Sequence, residues 1–323
     1  MVLDNLGDVV MATSVLKPLR SFFPEAKIGI WTKAYAKDLF ENHPDVDRVH
    51  LSDPFWDTAP GHPKGSLVSF INVLKEVRTC RYDVALVLNT EWRRSLACWL
   101  AGIKERIGYR RRKSRLFLTK SFEPSFPLKH VTNDHRNLIE NWMGQEDSHQ
   151  VWIPYINLSN ENVSHGIQWI RERKLSPYPL VLFHPFSGDK EKNWPLSYWF
   201  DLIERLNKKK RDLRFVMICT AIENAKVREA MGEFPADLCQ ILVVPSKNLK
   251  GVISMSSLFV GGDSGPGHLA AALGKSTLSL FGPSDPIRYI PSGEGEHQVI
   301  QRYPLADLQG DEVEKTIMEL VRH

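Results

Sequence analysis

The chain has 323 residues, 42% of them hydrophobic and 25% charged, with a formal net charge of +4. This is an ordinary globular composition, long enough for about two domains and for a core that needs no disulfide or metal staple. The mild positive balance suits an anionic ligand without indicating nucleic acid. The sequence has no apolar run able to span a bilayer and no basic segment followed by an apolar one at its start, so a cytoplasmic protein without a secretory signal is expected. Cys80, Cys98, Cys219 and Cys239 are far apart and form no CxxC pair, which favours reduced, packed thiols over disulfides or zinc.

In chain order, residues 1–3 are apolar but a glycine turn follows at once, so the first strand is either very short or already under way where the chain starts. Further strands are expected at 27–31, 48–51 and 84–88. Helices are expected at 9–23, 34–42, 67–80 and 93–101, with a break or kink at Pro18. The segment 152–160, with Pro154 and a cap at Asn160, reads as a joint. Beyond it, strands at 180–184, 215–219, 241–243, 258–261 and 277–281 alternate with helices at 196–207, 225–231, 249–255 and 267–273. A terminal amphipathic helix is expected at 310–323. The alternation implies an α/β fold, with parallel sheets covered on both faces in two doubly wound domains. Their expected extents are 1–154 and 155–323, the last helix being the element free to pack back on the first domain.

Ligands of open parallel sheets bind beyond the carboxyl ends of the strands, and three loops there have unusual composition. Asp4-Asn5-Leu6-Gly7-Asp8 follows the first strand. Asp8 reads either as a helix N-cap or as a carboxylate that accepts a proton. Residues 184–195, HPFSGDKEKNWP, offer Ser187, the Gly188 backbone and two lysines to a diphosphate, or form a solvated loop anchored by Trp194. The spacing is not that of a Walker loop. The densest signal is Gly261 to His268, GGDSGPGH, with an apolar helix and the sequence LFGPSDP after it. The N–H groups of Ser264 and Gly265 at a helix start make an anion site, and His268 reads as a phosphate donor or a core side chain. A fourth segment, 104–120, is strongly basic. It reads as a solvated face or loop, or as a surface for an anionic acceptor or membrane headgroups. It has too few interleaved aromatic residues for nucleic acid.

Together these segments resemble glycosyltransferase family 9, the ADP-heptose:lipopolysaccharide heptosyltransferases. LDNLGDVVMATSVLKPLRSFFPEAKI is similar to the family's first strand, L-G-D turn and helix. HPFSGDKEKNWPLSYWFDLI is similar to its K-x-W-P loop, and GGDSGPGHLAAALGKSTLSLFGPSDP to its D-[ST]-G-x-x-H-x-A-A-A signature. The resemblance implies a GT-B fold, two Rossmann-like domains facing a central cleft. It implies inverting transfer of a heptose from an ADP-linked donor, without metal or other cofactor, to a lipopolysaccharide core or other glycan acceptor. Asp8 matches the catalytic position. The donor-side positions are Ser187, Gly188, Lys192, Glu223, Asp263, Ser264, Gly265 and His268. Asp4 and Asn5 stand where other members carry small hydroxyl residues and fall on the acceptor side, with Arg110, Arg111 and Arg112. The implied partners are a nucleotide-sugar donor and a glycan or glycolipid acceptor, with peripheral contact at the inner membrane surface. Two other readings remain open, a nucleotide-sugar epimerase on the same fold and a non-catalytic nucleotide-sugar binding protein. A nicotinamide dehydrogenase is disfavoured because the first turn lacks the Gly-rich fingerprint.

Overall fold

A computed structural model describes residues 1–56, 64–111, 113–144 and 151–321. The chain divides into two compact units, Met1–Asn157 and Leu158–His323. Every strand pairing among the described residues is parallel, as the βαβ alternation requires. No helix of the described residues is long and apolar enough to cross a membrane.

In the first unit β1 (Gly29–Thr32) pairs with β2 (Arg48–Leu51), and β4 (Glu105–Tyr109) lies between β3 (Val84–Val87) and β5 (Lys120–Phe122). Residues 1–3 lie between these groups. The Val2 N–H donates to Trp31 O at 2.9 Å, the Met1 nitrogen to Leu86 O at 2.6 Å and the Leu88 N–H to Met1 O at 3.4 Å. Only Val2, opposite Thr32, forms a strand-like bridge. The helices are α1 (Leu6–Ala12), α2 (Leu16–Phe22), α3 (Leu67–Cys80), α4 (Trp92–Leu100) and α5 (Val131–Met143). The helix expected at 9–23 is thus two helices separated by a 3₁₀ turn at Thr13–Val15. Pro18 falls in the first turn of α2, where its missing N–H costs no intrahelical bond. The helix expected at 34–42 is a 3₁₀ segment, Ala34–Leu39. The solvated-loop reading of 104–120 fails over β4, because Ile107, Gly108 and Tyr109 are buried there.

The second unit holds β6 (Leu180–His184), β7 (Arg214–Cys219), β8 (Gln240–Val243), β9 (Leu258–Gly262), β10 (Ser276–Phe281) and β11 (His297–Gln301). Their order is β11-β10-β9-β6-β7-β8. The chain leaves β6 to one side and comes back to β9 on the other, so the crevice at the ends of β6 and β9 is a topological switch point. Its helices are α6 (Asn160–Glu172), α7 (Leu196–Lys209), α8 (Ala221–Met231), α9 (Ser246–Ser254), α10 (Gly265–Ala272), α11 (Pro286–Tyr289) and α12 (Gly310–Leu320). Trp199, Leu202, Ile203 and Leu206 repeat at helical spacing along α7 and bury against Phe183 and Phe215 in one core. Val313, Ile317 and Leu320 of α12 join that same core. Ser159, not Asn160, caps α6: its hydroxyl accepts from the Asn162 N–H at 3.1 Å, and Asn162 Oδ1 accepts from the Ser159 N–H at 3.2 Å. Helices α6 and α9 cross closely enough that a Cβ on Gly166 would stand 2.4 Å from Gly251 O. All four cysteines are free. Burial pushes the Cys239 thiol up to about 12 and those of Cys98 and Cys219 to about 11, which keeps them unreactive.

Candidate functional site

Three loops meet at the carboxyl end of the second unit's sheet. The first runs from β6 into α7 and contains a 3₁₀ turn, Lys190–Lys192. Asn193 organises it: its Oδ1 accepts from the Ser187 N–H at 2.7 Å and from the Ser187 hydroxyl at 3.1 Å. That hydroxyl also lies 2.7 Å from Asp189 O. Ser187 therefore shapes the loop, while Gly188 stays exposed at its tip. Trp194 is buried, donates its Nε1–H to Leu308 O at 3.1 Å and stacks edge-on against Trp199 at 5.1 Å, which fixes the loop's exit. The second loop joins β9 to α10, and the third leaves β10 at Gly282. A Cβ on Gly282 would stand 2.9 Å from Glu191 O, so only glycine lets this loop press on the 3₁₀ turn.

Lys192 reaches across from the first loop to the second, its Nζ 2.7 Å from Asp263 Oδ2. His268 Nε2 faces the other oxygen of Asp263 at 3.8 Å. Burial works to raise the Asp263 pKa, but contacts from His268, Lys192 and Ser284 outweigh it and hold the carboxyl well below the usual range. Asp263 is therefore a fixed anion that aims the Lys192 ammonium. Ser264 is the N-cap of α10 but makes no side-chain cap bond. Its hydroxyl lies 3.5 Å from His184 Nδ1. The helix start with its positive end thus carries no side-chain acceptor from its own cap residue. His268 is 4% exposed, and its Nδ1 has no hydrogen-bond partner among the described residues. Burial lowers the His184 pKa, with the Glu223 charge opposing. Glu223 closes a capping box on α8, its Oε2 accepting from the Thr220 N–H at 2.8 Å.

In the first unit the turn after residue 3 is built around Asp4. Its Oδ2 accepts from Asn89 Nδ2 at 2.7 Å and from Arg94 Nη1 at 2.8 Å, and its main-chain oxygen accepts from the Tyr35 hydroxyl at 2.6 Å. Arg94 is 4% exposed, so Asp4 is the counter-charge of a buried guanidinium. Asn5 is exposed and is the N-cap of α1, in extended conformation without a side-chain cap bond. Asp8 is thus not the N-cap. It stands at the third helical position, partly buried.

Arg110 and Arg111 follow β4 and are both exposed. Arg110 Nε lies 3.5 Å from Glu123 Oε1, and the Arg111 N–H donates to the Ser114 hydroxyl at 3.0 Å. Arg112 lies outside the described residues. Asn89, Arg94, Asn193 and Ser284 escape a sequence reading. Asn193 and Ser284 did leave a local sign, since they lie within HPFSGDKEKNWP and LFGPSDP.

A family model described as glycosyltransferase family 9 (heptosyltransferase) matches residues 70–317, well over half of the chain. Lipopolysaccharide heptosyltransferase 2 of Escherichia coli strain K12 is 25% identical over 297 residues, covering 87% of this chain and 81% of that protein. Among solved structures, the glycosyl transferase family 9 protein from Veillonella parvula DSM 2008 superimposes with a TM-score of 0.86 at 19% identity, covering 99% of this chain and 95% of its own. E. coli heptosyltransferase WaaC with ADP gives a TM-score of 0.77 at 18% identity, covering 98% of each chain. These likenesses give the chain its fold, GT-B.

Proposed function

The chain belongs to glycosyltransferase family 9, and from that premise we propose that it transfers a heptose or related sugar from an ADP-linked donor to a lipopolysaccharide core or other glycan acceptor, inverting the anomeric carbon. The observation that carries this reading is the Lys192–Asp263 pair beside the uncapped start of α10, at the switch point of the second unit's sheet. A diphosphate seated there meets an aimed ammonium and the backbone N–H groups of Ser264 and Gly265. The name of the E. coli structure with ADP supports the adenine nucleotide. The name of the E. coli K12 relative supports the sugar and the acceptor. The epimerase and binding-protein readings are not favoured, because the matched family is one of transferases.

In this reading the acceptor hydroxyl attacks the anomeric carbon while the bond from that carbon to the diphosphate oxygen breaks. Asp8 takes the hydroxyl proton. Lys192 and the α10 N–H groups offset the charge that grows on the departing ADP, so the step needs no metal ion. Asp263 acts through Lys192, since a carboxylate facing the phosphates directly would repel them. Ser187 shapes the loop on which Gly188 approaches the phosphates, and His268 and Glu223 border the donor.

Calorimetry with ADP, UDP and GDP on the parent and on Lys192→Ala tests the donor site. ADP binds tightest to the parent, and the substitution costs about 1.5–3 kcal/mol of its affinity, as for a lost charge-assisted hydrogen bond. Unchanged ADP affinity would remove Lys192 from the site.

A further inference from the structure

We propose that the groove between β1 and β3 is a strand-acceptor site. It takes an extended apolar peptide of about four residues with a free carboxyl end, running parallel to both strands. Residues 1–3 bridge β1 and β3 only toward their carboxyl ends, where Val2 pairs with Thr32 and Met1 bonds to Leu86 and Leu88. A single strand joins them there, so β1 and β3 stand two strand spacings apart, roughly 9.5 Å. Toward the amino ends of the strands the same gap continues as a cavity of about 980 Å³ that reaches Lys27 and Asp83.

Both walls carry main-chain groups at the spacing of a parallel ladder. Successive residues of a strand turn their N–H and C=O groups to opposite edges. On β1 the Ile28 and Thr32 oxygens accept from Arg48 and Ser52 on the β2 side, so Gly29 and Trp31 face the groove. On β3 the Asp83 oxygen accepts from Glu105 of β4, so Val84 and Leu86 face the groove. Val2 takes the Trp31 oxygen and Met1 the Leu86 oxygen. That leaves Gly29 and Val84, with the N–H groups of Trp31 and Leu86, turned toward an added strand. One face of the groove is lined by Val77, Ala85 and Cys98 and the other by Leu19, Leu86 and Trp142. A strand between them turns alternate side chains to each face, so it is apolar throughout, like any central parallel strand.

A lipid chain or another apolar molecule would fill the volume but leave both ladders unbonded, at a cost for every main-chain group it covers. A peptide strand satisfies them. The charge at the end of the groove fits the same occupant. The Met1 ammonium donates to Leu86 O at 2.6 Å and pairs with no carboxylate among the described residues. The carboxyl end of a peptide in the groove meets that charge. The groove lies toward the amino ends of the strands, away from Asp4 and Asp8, and the inference does not depend on the transfer reaction.

Titration of the full chain with the peptide Lys-Lys-Val-Ile-Val-Ile, labelled at its amino end and carrying a free carboxylate, tests this by fluorescence anisotropy and hydrogen exchange. One peptide binds per chain, slows amide exchange within 27–32 and 84–88, and raises the melting temperature. N-methylation of two successive apolar residues of the peptide removes a bond to each wall and weakens binding about thirtyfold. A carboxamide in place of the carboxylate weakens it about tenfold. These changes are all in the peptide, so the fold of the protein is the same in every arm. No binding, equal binding of the N-methylated peptide, or protection confined to other segments would overturn the proposal. So would displacement of both peptides alike by laurate, which would make the groove a site for apolar small molecules. A dimer protected over 27–32 and 84–88 that the peptide does not dissociate would also overturn it, giving the groove to a second copy of the chain.

Discussion

Asp4 and Asp8 flank one turn but have different surroundings. Asp4 neutralises Arg94 by accepting from its Nη1, while the Arg94 Nε has no hydrogen-bond partner among the described residues. Asp8 sits in the first turn of α1 and is not its N-cap. Asp8→Asn keeps the shape and the helix, so it should fold with the parent's melting temperature and bind donor normally. Its kcat should fall by about 10²–10⁴, the usual loss of a general base. Asp4→Asn should do the reverse at first order, destabilising by about 1–3 kcal/mol, less than a fully buried pair because Asp4 is 25% exposed. Melting curves and steady-state kinetics on the two variants separate these roles. If Asp8→Asn kept the parent's kcat, the proton would go elsewhere, with His268 and Glu223 the next groups to test. This division had no local signature. The residues 4–8 were legible as a turn entering a helix, but the partner of Asp4 stands 90 positions away on α4.

At the scale of elements, α5 shows why some of the fold was hidden. It buries Thr132, Asp134, His135 and Glu140 along with Leu138 and Ile139, so its inward face does not read as an apolar stripe. β4 begins with Glu105 and Arg106 and sits in a basic run, and β11 reads HQVIQ, so neither reads as a buried strand. β6, with all five residues of LVLFH buried, is legible at once because a central parallel strand is a continuous apolar run. The same contrast holds for the site. Its loops announce themselves by glycine, proline and aspartate after apolar runs, whereas the pairings of Asn193 and Ser284 exist only in space. The polar burial in α5 has a measurable consequence. His135 is 2% exposed, and burial pushes its pKa down to about 4. The unfolded chain, near the ordinary histidine value, binds that proton first as pH falls. His135 therefore permits full stability above about pH 6.5 and costs up to about 3 kcal/mol as pH falls toward 4. Denaturant titrations over that range should show the parent losing about that much more stability than His135→Gln. Equal losses in the two proteins would mean that His135 does not titrate with unfolding.

For the whole molecule, the chemistry divides along the chain as the fold does. The second unit has the six-stranded order whose switch point holds the Lys192 and Asp263 loops. In the proposed reaction the first unit would supply Asp8, in the first turn of α1. The division was legible because each half repeats the βαβ alternation and a Pro-containing joint separates them. The central claim is that these parts carry out one displacement at an anomeric carbon. The direct test is to incubate the protein with ADP-heptose and a deacylated lipopolysaccharide core, then read the new linkage by proton NMR while counting released ADP. The account predicts one ADP per glycoside formed, with the new linkage opposite in anomeric configuration to the donor. Retained configuration, or a donor that is isomerised or hydrolysed while the core stays unglycosylated, would contradict it.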